Sequence, residues 1–340
     1  MLHRHKWCRH LGHLKCFRET HRLVWSFPAT PTKPVAALSD AVGSLVMALH
    51  PRRLRLSPRT REMLTGYLLL LPAVSVLAVF AFYPLVRLAH FAVFRPNRFG
   101  NGETYVGVSN ITNVLTGDEF KSALWITLKY LLYTVPLGLV VGVLLALAAN
   151  RTLRGIKIFQ TIFSSTIASS AAVAGVIFYS LVNPEIGRFK DVDFISLSKS
   201  SSALLGVSLS STWQNVGLTF VIVLAALQAV PQELLEAARL DGFGMVRRLF
   251  RVTLPLIGPA LLFLAVVLII GAFQTFAQIE VLTGGGPAQS TETLVYKIFQ
   301  RQDPGHISEG AVMSLGLFGL TFFVTMVQLL LLNKRVHYGE

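Results

Sequence analysis

From Leu64 onward the chain is laid out as six apolar blocks, approximately residues 64–86, 124–149, 159–182, 208–230, 256–280 and 310–332. Each is near the roughly 20 residues that a helix rising 1.5 Å per residue needs to cross a hydrocarbon layer of about 30 Å. Within such a layer every backbone donor and acceptor must find its partner inside the segment, which makes helices the natural spanning form. A β-barrel would need short alternating segments, and these blocks do not alternate. Only 14% of the residues are charged and 53% are hydrophobic, against about 25% charged in soluble domains. The expected fold is an all-α membrane protein with six transmembrane helices. It has a basic, unstructured segment over 1–62, a membrane domain over 63–335 and a short tail over 336–340.

The first 46 residues are of a different kind. His and Arg crowd the start, Pro28, Pro31 and Pro34 follow, and nothing is long enough to span. Cys8, His10, His13 and Cys16 offer four zinc-compatible side chains, but their order and spacing match no standard finger, so no metal site is expected. Those two cysteines are the only ones, which excludes a disulfide framework for the membrane portion. Translation starting at Met47, just before Arg52, Arg53, Arg55, Arg59 and Arg61, is an alternative reading of this region. The Arg-then-apolar order at the first block also suits a secretory signal, but the block is too long and lacks a small-residue cleavage site.

A formal charge of +14 raises the question of nucleic acid, yet the basic residues sit beside apolar blocks and no nucleic-acid motif accompanies them. They fit a topology instead, because Lys and Arg gather on the cytoplasmic side. Arg52–Arg61 precede the first block, Arg151, Arg154 and Lys157 follow the second, Arg239–Arg251 follow the fourth, and Lys334 and Arg335 follow the sixth. In the opposite loops Arg95, Arg98, Arg188 and Lys190 are mixed with Glu103, Asp118, Glu119, Asp191 and Asp193. Both termini are expected in the cytoplasm.

The segment between the fourth and fifth blocks is the most informative. Pro231 ends one span and suits the first turn of a new helix, whose positive N-terminal end Glu233 and Glu236 favour. Leu234, Leu235, Ala238 and Asp241 follow at helical spacing, and Gly242 lets the chain stop or turn. Small Ala237 and Ala238 permit close approach by another protein, while Arg239, Arg247, Arg248 and Arg251 suit acidic groups or lipid phosphates. An amphipathic helix that only anchors to lipid is the plainer alternative. The order Glu236-Ala237-Ala238, three residues, Gly242, nine residues, Val252, one residue, Leu254-Pro255 resembles the EAA loop of permease subunits in bacterial ABC importers. Val252 stands where the family more often has Ile.

The resemblance extends through Val281-Leu282-Thr283-Gly284-Gly285-Gly286-Pro287 and Thr293–Ile298, and is similar to the carbohydrate-type permeases for maltose-like sugars and glycerol 3-phosphate. It covers most of the chain after residue 60. It implies the type I ABC importer permease fold in the bacterial inner membrane, with Glu236, Ala237, Ala238, Asp241, Gly242, Leu254 and Pro255 in a cytoplasmic coupling segment. The partners it implies are two copies of an ABC ATPase that bind ATP and Mg, an extracytoplasmic solute-binding protein, and a second permease subunit. That subunit is expected to be a related but distinct chain, a homodimer being the alternative. The chain has no GxxxxGK[ST] match, so no cofactor is expected on it and Gly284–Gly286 read as an extracellular turn.

Polar side chains inside the blocks are candidates for the solute path, against simple helix-to-helix hydrogen bonding. The set is Ser165 and Ser169 among the hydroxyls of the third block, Trp213, Gln214 and Asn215 opening the fourth, and Gln274 and Gln278 in the fifth. The last two, four apart, are expected on one helix face with Gly271. Amides, hydroxyls and an aromatic suit neutral, hydroxyl-rich cargo. Glu280 reads as interfacial. An ion-driven secondary transporter is the competing class, but the block centres hold no convincing Asp, Glu or Lys pair. A membrane enzyme is the third, and no nucleophile–base pair stands out.

Overall fold

The computed structural model describes residues 58–97, 102–151, 153–183, 185, 187–189 and 191–333. The expectations about Cys8, His10, His13, Cys16, Met47, Lys334, Arg335 and the tail lie outside them. The chain forms two units, residues 1–72 and 73–340. The described part of the first belongs to helix α1 (Pro58–Leu77), which a π-helical turn over Ala78–Phe82 carries into α2 (Tyr83–Val93). Pro84 has no N–H to give the ladder, and the widened turn just before it accommodates that loss. Two three-residue strands follow, β1 (Phe94–Pro96) and β2 (Glu103–Tyr105), paired antiparallel with Arg95 opposite Thr104. Strands so short carry no readable period, and the sequence reading has none here.

Beyond α3 (Ser109–Thr116), α4 (Asp118–Ala149) runs for 32 residues, opened by Asp118 and Glu119 in its first turn, where carboxylates suit the positive end of the helix dipole. The third apolar block is not one helix. α5 (Ile156–Ser164) passes through a 3₁₀ turn over Ser165–Ala168 and restarts as α6 (Ala171–Val182), with the two arms 107° apart. The cause is the hydroxyl run. Ser165 Oγ donates to the Ile162 carbonyl at 2.7 Å and Ser169 Oγ to that of Thr166 at 2.7 Å, competing with the helical ladder. Ser170 Oγ then accepts from Val173 N at 3.3 Å and caps α6.

α7 (Ala203–Gln228) is continuous, and α8 (Gln232–Leu240) is the short helix after Pro231. The fifth block is bent as well. α9 (Met245–Arg248), a π-helical turn over Leu249–Thr253 and α10 (Leu254–Leu256) meet α11 (Gly258–Phe273) at 70°. This π turn also ends two residues before a proline, Pro255, and Pro259 starts the next arm at a position that needs no N–H. α12 (Ala277–Leu282), α13 (Leu294–Gln300) and α14 (Ile307–Asn333) complete the chain. Among the described residues, four continuous helices are long and apolar enough to cross a membrane, and the count reaches six when each bent pair is one span.

α4 and α7 are the packed centre of the second unit. Ala123, Thr127, Tyr130, Thr134, Gly138, Gly142 and Ala146 recur three or four apart along the buried face of α4. A Cβ at Gly142 would come within 2.4 Å of Thr219 Cγ2, so the glycine is what lets the two backbones approach. Among lipid-solvated helices this close fit, rather than escape from water, supplies the attraction.

Candidate coupling segment and solute path

Pro231 is the N-cap of α8, one position ahead of the first turn, with Glu233 inside that turn. Leu235 packs on the cluster that includes Ile257 and Leu264, and Ala238 is buried, which fixes the inward face. At the far end Gly242 adopts φ +75°, its N–H bonds the Arg239 carbonyl, and the Phe243 N–H reaches back to the Ala238 carbonyl, both at 3.0 Å. That is the pattern of a Schellman cap, which satisfies carbonyls the helix end would leave bare. A Cβ at Gly242 would meet nothing within 4 Å, so its backbone angle alone demands glycine. The outward face carries Glu236, Ala237 and Asp241, and next to it Leu240 is 89% exposed, with Met245 and Val246 uncovered as well. The Arg247 guanidinium lies 4.4 Å from the Phe243 ring centroid. Leu254 and Pro255 stand at the 70° bend, so the segment runs from an exposed acidic and apolar face straight into the start of a spanning helix.

Of the candidate path residues, the fold joins three. Gln214 Nε2 donates to the Ser169 carbonyl at 2.9 Å, and Gln278 Nε2 donates to Gln214 Oε1 at 2.8 Å. The break in the third span, the middle of α7 and the start of α12 are thereby held by two amides in series. Gln278 is buried and Gln214 half-buried. Trp213 packs on Phe178 of α6 with ring centroids 5.9 Å apart, and Asn215 lies against Gly138 of α4. Ser165 is exposed and bonded only to its own turn.

The shared helix face expected for Gln274 and Gln278 does not exist. α11 ends at Phe273, Gln274 is its exposed cap residue, and Gln278 belongs to α12. The Thr275 hydroxyl bridges the Gly271 carbonyl oxygen at 3.2 Å and the Tyr130 hydroxyl at 3.1 Å, a tie that holds the chain out of helical register between the two.

Several groups at the site went unread in the sequence. Gly284 and Gly285 do form a turn, with φ +55° and +84°, and a Cβ at Gly285 would come 2.7 Å from Tyr296 Cε1. Beneath that turn Lys297 Nζ and Glu292 Oε2 form a buried ion pair at 2.5 Å. Burial, then the hydrogen bond to the Glu280 carboxylate, push the Tyr296 hydroxyl above its ordinary range. Lys129 stands alone inside the second apolar block, so a search of the blocks for pairs of charges does not reveal it. A single cation in an apolar run was the signal that could have found it.

The family profile described as "Binding-protein-dependent transport system inner membrane component" matches residues 135–338. The sn-glycerol-3-phosphate transport system permease protein UgpA of Yersinia enterocolitica is 35% identical over 280 residues, 80% of this chain and 95% of the relative. Its namesake from Agrobacterium fabrum is 33% identical over 281 residues, with 80% and 96% covered. Among solved structures, a bacterial alginate ABC transporter in complex with alginate pentasaccharide-bound periplasmic protein matches with a TM-score of 0.66 at 21% identity, covering 82% of this chain and 96% of that one.

Proposed function

The chain belongs to the family of inner-membrane components of binding-protein-dependent transport systems, and on that premise we propose that it forms half of the passage of an ATP-driven importer for sn-glycerol 3-phosphate or a similar polyol phosphate or sugar. The observation that carries the solute class is the extent of the match to permeases named for that compound, which runs through nearly their whole length.

In this reading α8 and the segment to Pro255 form the contact with a separate ATPase, present in two copies, which keeps ATP and Mg to itself. Support comes from the uncovered acidic and apolar surface of α8 and its direct lead into the fifth span. A related but distinct permease chain completes the passage, an extracytoplasmic binding protein delivers the solute, and both termini and α8 face the cytoplasm. The cycle is alternating access. ATP can drive it only by strengthening the ATPase's grip on one permease conformation over the other. The Ser169–Gln214–Gln278 relay lies between spans that such a change would move.

The test is purification in mild detergent from native membranes, followed by reconstitution of whatever co-purifies. Recovery of a P-loop ATPase and a second multispanning chain, with uptake of sn-glycerol 3-phosphate that needs ATP and a binding protein, is the expected result. Uptake by this chain alone, driven by a proton or sodium gradient, would refute it.

A further inference from the structure

Among the described residues of the spanning helices, Lys129 is the basic side chain farthest from a helix end. It lies well inside α4, which runs Asp118–Ala149, and a little over one turn past the start of the apolar block. It sits on the bare side of α4. Trp125, Tyr133 and Val140 on that side are 59%, 39% and 53% exposed, whereas Thr127, Tyr130 and Thr134 on the other are buried. Its ammonium lies 5.2 Å from the Trp125 ring centroid, and it joins none of the ion pairs found among the described residues.

Such a cation is costly against hydrocarbon, so intramembrane charges turn to a protein interior or a water-filled space. Among the described residues, none covers Trp125, Tyr133 or Val140, Lys129 is itself half-buried, and the bare side continues into a groove of about 420 Å³ between α4 and α7 whose lining is mostly apolar, with Tyr133 and Ser208 as its polar groups. We propose that this side of α4 lines the aqueous passage and that Lys129 receives the phosphate of the solute. The inference rests on the solute class proposed above and names the residue that would recognise it. A lysine suits the task as a point charge that meets a phosphate oxygen from many directions. Trp125 holds the ammonium through its ring face while the passage is empty. The Tyr133 hydroxyl, one turn deeper, is placed to bond the hydroxyls of a polyol. The amide and hydroxyl candidates carry no charge, so Lys129 gives the passage an electrostatic preference they cannot.

A lipid headgroup offers the same phosphate chemistry, and a lysine one turn inside the membrane can reach toward it. Uptake of radiolabelled sn-glycerol 3-phosphate separates the two sources, measured in proteoliposomes holding the whole complex and saturating loaded binding protein. Lys129→Met is expected to lower the rate about tenfold, equivalent to some 1.4 kcal/mol, and Lys129→Arg to restore most of it. If the Met chain does not assemble with its partners, Lys129→Gln makes the same comparison. Tyr133→Cys, with Cys8 and Cys16 replaced by Ser, is expected to react with a water-soluble thiol reagent and to be shielded by sn-glycerol 3-phosphate. Wild-type rates in the neutral variants, or an unreactive Tyr133→Cys, assign Lys129 to lipid and overturn this site while leaving the solute class intact. A wild-type complex that imports only uncharged solutes overturns both.

Discussion

Gly242 and Gly142 are both constrained by geometry, but for opposite reasons. At Gly242 space is free and φ is +75°, so the penalty for another residue is the left-handed backbone itself, about 1–2 kcal/mol for a β-branched side chain. Gly242→Val should therefore fray the cap of α8 and lower ATP-dependent uptake while insertion and yield hold, and Gly242→Asn, tolerant of that backbone, should keep most of the transport. Equal uptake in both variants would show that the cap has no part in coupling. Glu236→Lys tests the exposed face independently, since it leaves the cap intact and reverses one charge; loss of uptake with unchanged membrane insertion is expected. The need for a left-handed angle is written in sequence as a glycine, which is why the end of α8 at Gly242 could be read in advance. The partnership of Gln214 with Gln278 could not, because 64 residues separate them and either amide could have bonded elsewhere.

At the scale of elements, the six apolar blocks were legible because length and composition alone specify a span. Their breaks were not. The hydroxyls of the third block read as path candidates, yet their local effect is to pull carbonyls out of the ladder and turn the chain by 107°. The same turn rests on α7 at Gly217, where a Cβ would come 2.1 Å from Thr166 Oγ1 and 2.8 Å from the Ile167 nitrogen. Thr166 can rotate away, but the backbone nitrogen cannot. Gly217→Ala is thus expected to cost about 1–3 kcal/mol by overpacking and to lower the thermal midpoint of the detergent-solubilised complex. Gly271→Ala is the matched control, a helical glycine with nothing within 4 Å of its Cβ, and should be neutral or slightly stabilising. If the two melt alike, the broken span is not seated on Gly217.

Across the second unit, both irregular spans converge on one place. Just past the end of α11, Thr275 is tied to Tyr130 of α4, and α12 packs on α6, where a Cβ at Gly175 would stand 3.1 Å from Val281 Cβ. The Gln278–Gln214–Ser169 relay then links α12 through α7 to the break in the third span. On the proposed coupling, a displacement of α8 would enter α11 through the bend that follows Pro255, and the relay would be the joint at which the far ends of the third and fifth spans either move together or slip. The two amides depend on each other. Removing Gln278 frees Gln214 Oε1 in a half-buried setting, and removing Gln214 takes the acceptor from the buried Gln278 amide and the donor from the Ser169 carbonyl. A double-mutant cycle with Gln214→Leu and Gln278→Leu should therefore be non-additive, with a coupling of about 0.6–1.7 kcal/mol in apparent stability, as for hydrogen bonds between other membrane helices. Uptake should behave alike, the double variant transporting no worse than the poorer single one. Strictly additive losses in both measurements would mean that each amide acts alone, and the third and fifth spans would have to be joined through the packing of α6 on α12 instead.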